Sequence, residues 1–179
     1  MRALPIIQQE HPTAQTLIVG EQLGSSYGQP STHPKGYPGE MLALLGHRLD
    51  FSRIHFLGKV EYSNLLALFQ ISAAHVYLTY PYALGWSLLE AMACGAPVVG
   101  SANEPVSEVI RDGHNGRLVP FGAPERIAQV VLELLKDQAQ RAKLGHRARQ
   151  TVLQRYRIEQ SLQAYEQLIM SLRLSATKG

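Results

Sequence analysis

The sequence predicts an α/β protein: a doubly wound parallel sheet with helices on both faces. Three observations predict it. Short apolar runs of strand length recur through the 179 residues. A segment with helical periodicity separates each run from the next. Gly and Pro punctuate the joints between them. Apolar residues make up 45% of the chain and charged residues 17%, enough to build a core and too apolar for disorder.

Met1 to Glu10 has helical character but starts on an apolar run with no capping residue. That start predicts a chain cut ahead of the helix. Thr16-Leu17-Ile18-Val19-Gly20 is a buried parallel strand ending in Gly. Glu21 to Tyr37, rich in Gly, Ser, Pro and Tyr, is the longest loop. Pro38 opens a helix that closes near Gly46. Arg53 to Gly58 is the second strand, and Tyr62-Ser63-Asn64 opens a helix with a broad apolar stripe from Leu65 to Ile71.

His75 to Thr79 is the third strand. Tyr80 to Ser87 forms a loop, and the helix carrying Glu90 runs to a Gly stop at Gly95. Pro97 to Ser101 is the fourth strand, and Glu104 to Ile110 a short helix. Asp112-Gly113-His114-Asn115-Gly116 is a turn. Arg117-Leu118-Val119 is a fifth strand, and an amphipathic helix starts at Ala123-Pro124-Glu125. After Gly145 a helical tail follows in two parts, broken near Tyr156-Arg157.

Composition excludes several functions. A net charge of +3, spread through helices, makes no nucleic-acid stripe, although a weak attraction to phosphate-bearing ligands or acidic lipid stays open. The single cysteine, Cys94, builds no disulfide framework and fits a reducing compartment. No apolar window reaches a membrane span, and Met1 to Pro12 makes no signal peptide, so a cytoplasmic location is expected. The seven histidines never fall three or four apart, so no metal site is expected. No Ser/His/Asp order or phosphate-loop lysine motif is present.

In such sheets ligands bind outside the carboxyl ends of the strands. That rule selects the loops at Gly58–Glu61, Tyr80–Ser87 and Ser101–Pro105. Glu90, near a helix start, suits two hydroxyl hydrogen bonds from a ribose; as an alternative it is a solvated helix acid. Leu84, Gly85, Trp86 and Ser87 form a loop where Gly85 lets backbone amides approach a diphosphate and Ser87 serves as N-cap; the alternative is a plain capped helix with Trp86 in the core. Gly58, Lys59 and Val60 follow a strand end, where Lys59 faces a phosphate or base, or only solvent. Cys94 is expected to pack as a small thiol. Ser101 and Glu104 either touch ligand or cap the next helix.

Together these residues resemble the carboxyl-terminal domain of glycosyltransferase family 4, the retaining sugar transferases of the GT-B fold. The resemblance runs from about Thr16 to the end through HFLGKV, YSNLLALFQISAAHVYL, WSLLEAMACGAPVVGS and PVSEVIRDGHNGRLV. It implies half of a GT-B fold, Rossmann-like, that binds a nucleotide-sugar donor and needs no separate cofactor or metal. Glu90 matches the second acid of the family's E-x7-E motif, a ligand of the donor ribose. Gly85 and Trp86 match positions beside the donor phosphates and sugar, and Gly58, Lys59 and Val60 the turn beside the base. The first acid of the motif falls at Tyr82, which stacks on a sugar or packs in the loop.

The family pattern also places a strand and loop ahead of the helix at Met1, and an amino-terminal acceptor domain before that. Their absence implies a sheet without its central first strand. It also implies a chain that is inactive alone and that pairs with the acceptor domain or with itself. Residues 1–148 are then the nucleotide-sugar-binding domain and 149–179 a helical tail. Polysaccharide or glycoconjugate synthesis is expected, in the cytoplasm or at the inner face of a membrane. The alternatives are a non-catalytic nucleotide-sugar-binding module and a sugar-nucleotide epimerase; EAMACGAPVV argues against the latter.

Overall fold

The computed structural model of the protein describes residues 1–20, 31–80 and 84–176. Five short parallel strands are found among them, in two sheets. β1 (Thr16–Val19) pairs with β2 (Ile54–Gly58), with Thr16 opposite Ile54 and Ile18 opposite Phe56. β3 (His75–Tyr77), β4 (Val98–Ser101) and β5 (Arg117–Val119) form the second sheet in that order. The helices are α1 (Leu4–Glu10), α2 (Gly36–Leu45), α3 (Tyr62–Ile71), α4 (Trp86–Ala93), α5 (Glu104–Val109), α6 (Pro124–Lys136), α7 (Gln138–Arg155) and α8 (Ile158–Ala176).

Two apolar layers sandwich the strands. On one face Leu4 and Ile7 of α1, Leu45 of α2 and Val130, Val131 and Leu134 of α6 pack against Ile54, Val99 and Val119. Because Ile54 belongs to the first sheet and Val99 and Val119 to the second, one helix layer spans both. On the other face Phe69 of α3, Leu88 and Met92 of α4, Val106 of α5 and Ala148 of α7 cover Val98. β4 is buried at every position, as a central parallel strand must be.

The helix layers fix the strand order. The β1–β2 connection runs through α2 on the first face, and the β2–β3 connection through α3 on the second. Parallel crossovers are right-handed. A helix on the opposite face therefore sends the chain back past β1, so the second sheet lies on the β1 side of the first. No ladder joins β1 to β3 among the described residues. The reversal between β1 and β3 is the switch point of a doubly wound sheet, where such folds bind ligands. At that break Leu17, Val19, Val76 and Leu78 are exposed, although parallel strands ordinarily bury both faces.

The strands and helices follow the sequence expectation with small shifts at their ends. The largest concerns α7, which starts at Gln138 rather than after Gly145 because the Asp137 side chain accepts from the Gln140 amide at 2.8 Å. The break at Tyr156-Arg157 falls where expected. The 148/149 boundary lies inside α7, where Ala148 is buried, and the chain leaves the packed body only at α8. The apolar side chains of α8, from Ile158 through Leu172, are exposed. No helix is long and apolar enough to cross a membrane among the described residues.

Candidate functional site

Gly58 closes β2 with a positive φ of 66°, a conformation that costs a side-chain-bearing residue strain. Its carbonyl accepts from the Gly20 amide at 2.9 Å, which ties the carboxyl ends of β1 and β2 together. Lys59 is exposed and Val60 half-buried on the loop that follows. Tyr62 then begins α3.

The next loop leads into α4. Gly85 is the N-cap, with φ −78° and ψ 143°, and its amide donates to the Tyr77 hydroxyl at 2.9 Å. This corrects two expectations. Ser87 is not the cap, because the helix already starts at Trp86 and leaves Ser87 in its first turn. The space beside Gly85 is taken by Tyr77, whose hydroxyl would meet an added Cβ at 2.9 Å. Gly85 is thus required by a tyrosine packed against it, and its own amide is engaged. The donors left open at this helix start are the Trp86 and Ser87 amides, which have no acceptor inside the helix.

Trp86 is 82% exposed, so the core reading of its indole is excluded. Leu84 is half-buried against the α4 layer. Glu90 lies one turn further along α4, half-buried. The Tyr62 hydroxyl donates to its Oε1 at 3.1 Å. That bond, with partial desolvation and the charge of Glu90, holds the Tyr62 phenol above its ordinary pKa, so it remains a donor. Glu90 therefore sits at the carboxyl-end rim, between the loops that follow β2 and β3. Tyr62 is a member of this site that spacing in the sequence does not reveal. Tyr82 lies outside the described residues.

Two neighbouring residues are structural. Ser101 is fully buried, and its hydroxyl accepts from the Thr79 amide at 2.8 Å, fastening β3 to β4. The cap of α5 is Asn103, which accepts from the Val106 amide at 3.2 Å and donates to the Thr79 carbonyl at 2.9 Å, so neither Ser101 nor Glu104 caps this helix. Burial raises the Cys94 thiol pKa, with Arg149 opposing and Glu90 adding, which suits a packed thiol rather than a nucleophile. A recess lined by Pro5, Gln8, Gln9, Arg48, Asp50 and Arg53 lies at the opposite rim, beside the amino ends of the strands. There Arg53 is bound by Asp50 at 2.8 Å and by the carbonyls of Gln8, His11 and Pro12, which makes it a tie between α1 and β2.

Residues 1–151 match the family model described as glycosyl transferases group 1. The chain is 36% identical over 114 residues to the N-acetyl-alpha-D-glucosaminyl L-malate synthase of Bacillus anthracis, covering 64% of this chain and 29% of that enzyme. It is 30% identical over 130 residues to an uncharacterized glycosyltransferase of Methanocaldococcus jannaschii, covering 72% of this chain and 33% of that protein. The chain thus spans about a third of the length of these relatives. Among solved structures, Anabaena HepE in complex with UDP superposes with a TM-score of 0.81 at 22% identity, over 96% of this chain and 45% of that one. The C-terminal domain of a glycosyl transferase group 1 family protein from Francisella tularensis superposes with a TM-score of 0.74 at 21% identity, over 88% of this chain and 77% of that domain.

Proposed function

The chain belongs to the group 1 glycosyl transferases, and from that premise we propose that it is the donor-binding half of a retaining GT-B enzyme, holding a nucleotide-diphosphate sugar. The observation that carries this reading is the Glu90 carboxylate at the carboxyl-end rim of the switch point, beside the exposed Trp86 and the open amides of α4. Glu90 receives the two ribose hydroxyls. The Trp86 and Ser87 amides and the positive end of α4 face the diphosphate. Gly58, Lys59 and Val60 border the base, while Leu84 and Gly85 border the sugar. Anabaena HepE, solved with UDP and with UDP-glucose, supports a uridine nucleotide as the first ligand to test.

In the intact enzyme the sugar passes to an acceptor hydroxyl with retention at the anomeric carbon. The protein lowers the barrier by stabilising the departing diphosphate with N–H groups. The reading invokes the nucleotide sugar as substrate and no separate cofactor or metal, and places the enzyme in the cytoplasm or at the inner face of a membrane. The donor domain then runs through α7, and the tail that leaves it is α8, whose exposed stripe packs against the acceptor-binding half.

Calorimetric titration with a panel of nucleoside diphosphates tests the site. Glu90→Ala removes a charge-assisted pair of hydrogen bonds and should cost about 1.5–3 kcal/mol, roughly ten- to a hundredfold in affinity. Silence from every nucleotide, or equal binding by the variant, overturns the assignment.

The break in the sheet supports the expectation about partners. The β1 and β3 edges and the exposed Leu17 and Val76 lie where an added strand or surface would cover them. The isolated chain should self-associate, and sedimentation velocity should show a concentration-dependent species that Leu17→Lys with Val76→Lys shifts toward monomer. A monomer for both proteins at every concentration defeats this expectation, and sugar transfer by the chain alone defeats its dependence on an acceptor half.

A further inference from the structure

We propose that Tyr62 is the positioning residue for Glu90, and that its hydroxyl sets the preference of this site for ribose over deoxyribose. The inference rests on the reading of Glu90 as the ribose ligand. Tyr62 opens α3, directly after the loop at the end of β2, whereas Glu90 lies in α4 after β3. The two residues are 28 positions apart and meet only because α3 and α4 pack side by side at the same rim.

A glutamate has three side-chain rotors, and the ordering of a half-buried one opposes binding. A tyrosine has only two, so its hydroxyl is a well-placed anchor. The 3.1 Å bond to Oε1 uses one of about four acceptor positions on the carboxylate. Oε2 and a second lone pair on Oε1 remain for the 2′- and 3′-hydroxyls.

A purely structural tie between α3 and α4 would change stability and leave selectivity alone. The discriminating readout is therefore the ratio of affinities for UDP and 2′-deoxyuridine diphosphate. Tyr62 is 58% exposed, so Tyr62→Phe, which removes only the hydroxyl, leaves the fold intact. Calorimetry on the full chain should show wild type preferring UDP, and Tyr62→Phe weakened for UDP by about fivefold with a smaller loss for the deoxy ligand, which keeps only the 3′-hydroxyl for Glu90. Glu90→Ala should abolish the preference. An unchanged ratio in Tyr62→Phe, with Glu90→Ala impaired, overturns the role of Tyr62 and leaves the ribose site standing. Equal UDP binding by wild type and Glu90→Ala overturns the ribose site itself, and the role of Tyr62 with it.

Discussion

Acidification from pH 7 to pH 4 should remove about 3 kcal/mol of folding stability through His75 alone. This residue opens β3, and its backbone amide donates to the Pro97 carbonyl at 2.8 Å. Its ring lies edge-on to Phe69 at 4.9 Å, and Nε2 is buried without a hydrogen-bond partner among the described residues. Burial pushes the imidazole from its ordinary 6.5 down to about 4. The folded protein therefore holds a neutral ring, while the unfolded chain takes up a proton below pH 6.5. The contribution is full above pH 6.5 and is lost as pH falls toward 4. Urea denaturation at pH 7, 5.5 and 4 measures it. His75→Leu keeps an apolar group against Phe69 and should flatten that part of the profile; a variant with the same acid slope as wild type would falsify the assignment.

His75 also shows what a sequence carries and what it hides. As the first residue of an apolar run, it marks β3 correctly; its buried ring depends on α3 lying over the strand, which no local pattern states. The same division holds at the site. The rule that ligands gather at the carboxyl ends of parallel strands places Glu90, Trp86 and the Gly58 loop on one rim, and they are found there. The helix start is misplaced because Ser is a good N-cap by propensity, whereas here Gly85 takes that position with its amide tied to Tyr77, a residue on the preceding strand. Tyr62 escapes notice for the same reason, since its bond to Glu90 depends on how two helices pack rather than on any spacing.

The sheet gives a further contrast. Strand runs and intervening helices are legible because buried parallel strands are written as apolar runs between Gly and Pro stops. The break between β1 and β3 follows from the strand order implied by the resemblance. The structure supplies an independent argument for it, from which face each crossover helix occupies. Leu17 and Val76 look like core residues in the sequence and are exposed, because burial of a strand is decided by its neighbours.

Gly145→Ala should destabilise the fold by about 1–3 kcal/mol, against the ordinary preference for Ala in a helix. Gly145 lies in the middle of α7, where α7 crosses the end of α4. A Cβ built there overlaps the carbonyl oxygen of Gly95. That oxygen is backbone, so no rotamer change relieves the contact. Nor is Gly95 free to move, because it holds a positive φ of 79° and its amide is bonded to the Met92 carbonyl at 3.0 Å. The helices must separate, which opens the layer formed by Leu88, Met92 and Ala148, all fully buried. Replacing Gly by Ala in an unobstructed helix gains about 1 kcal/mol, so the sign of the measured change decides whether the close approach exists. Chemical denaturation of the variant gives that sign. Because α4 also carries Trp86 and Glu90, the displaced helix should weaken nucleotide binding in the fraction that still folds. Gln150→Ala, at an exposed position of the same helix, is the control and should lower neither stability nor binding.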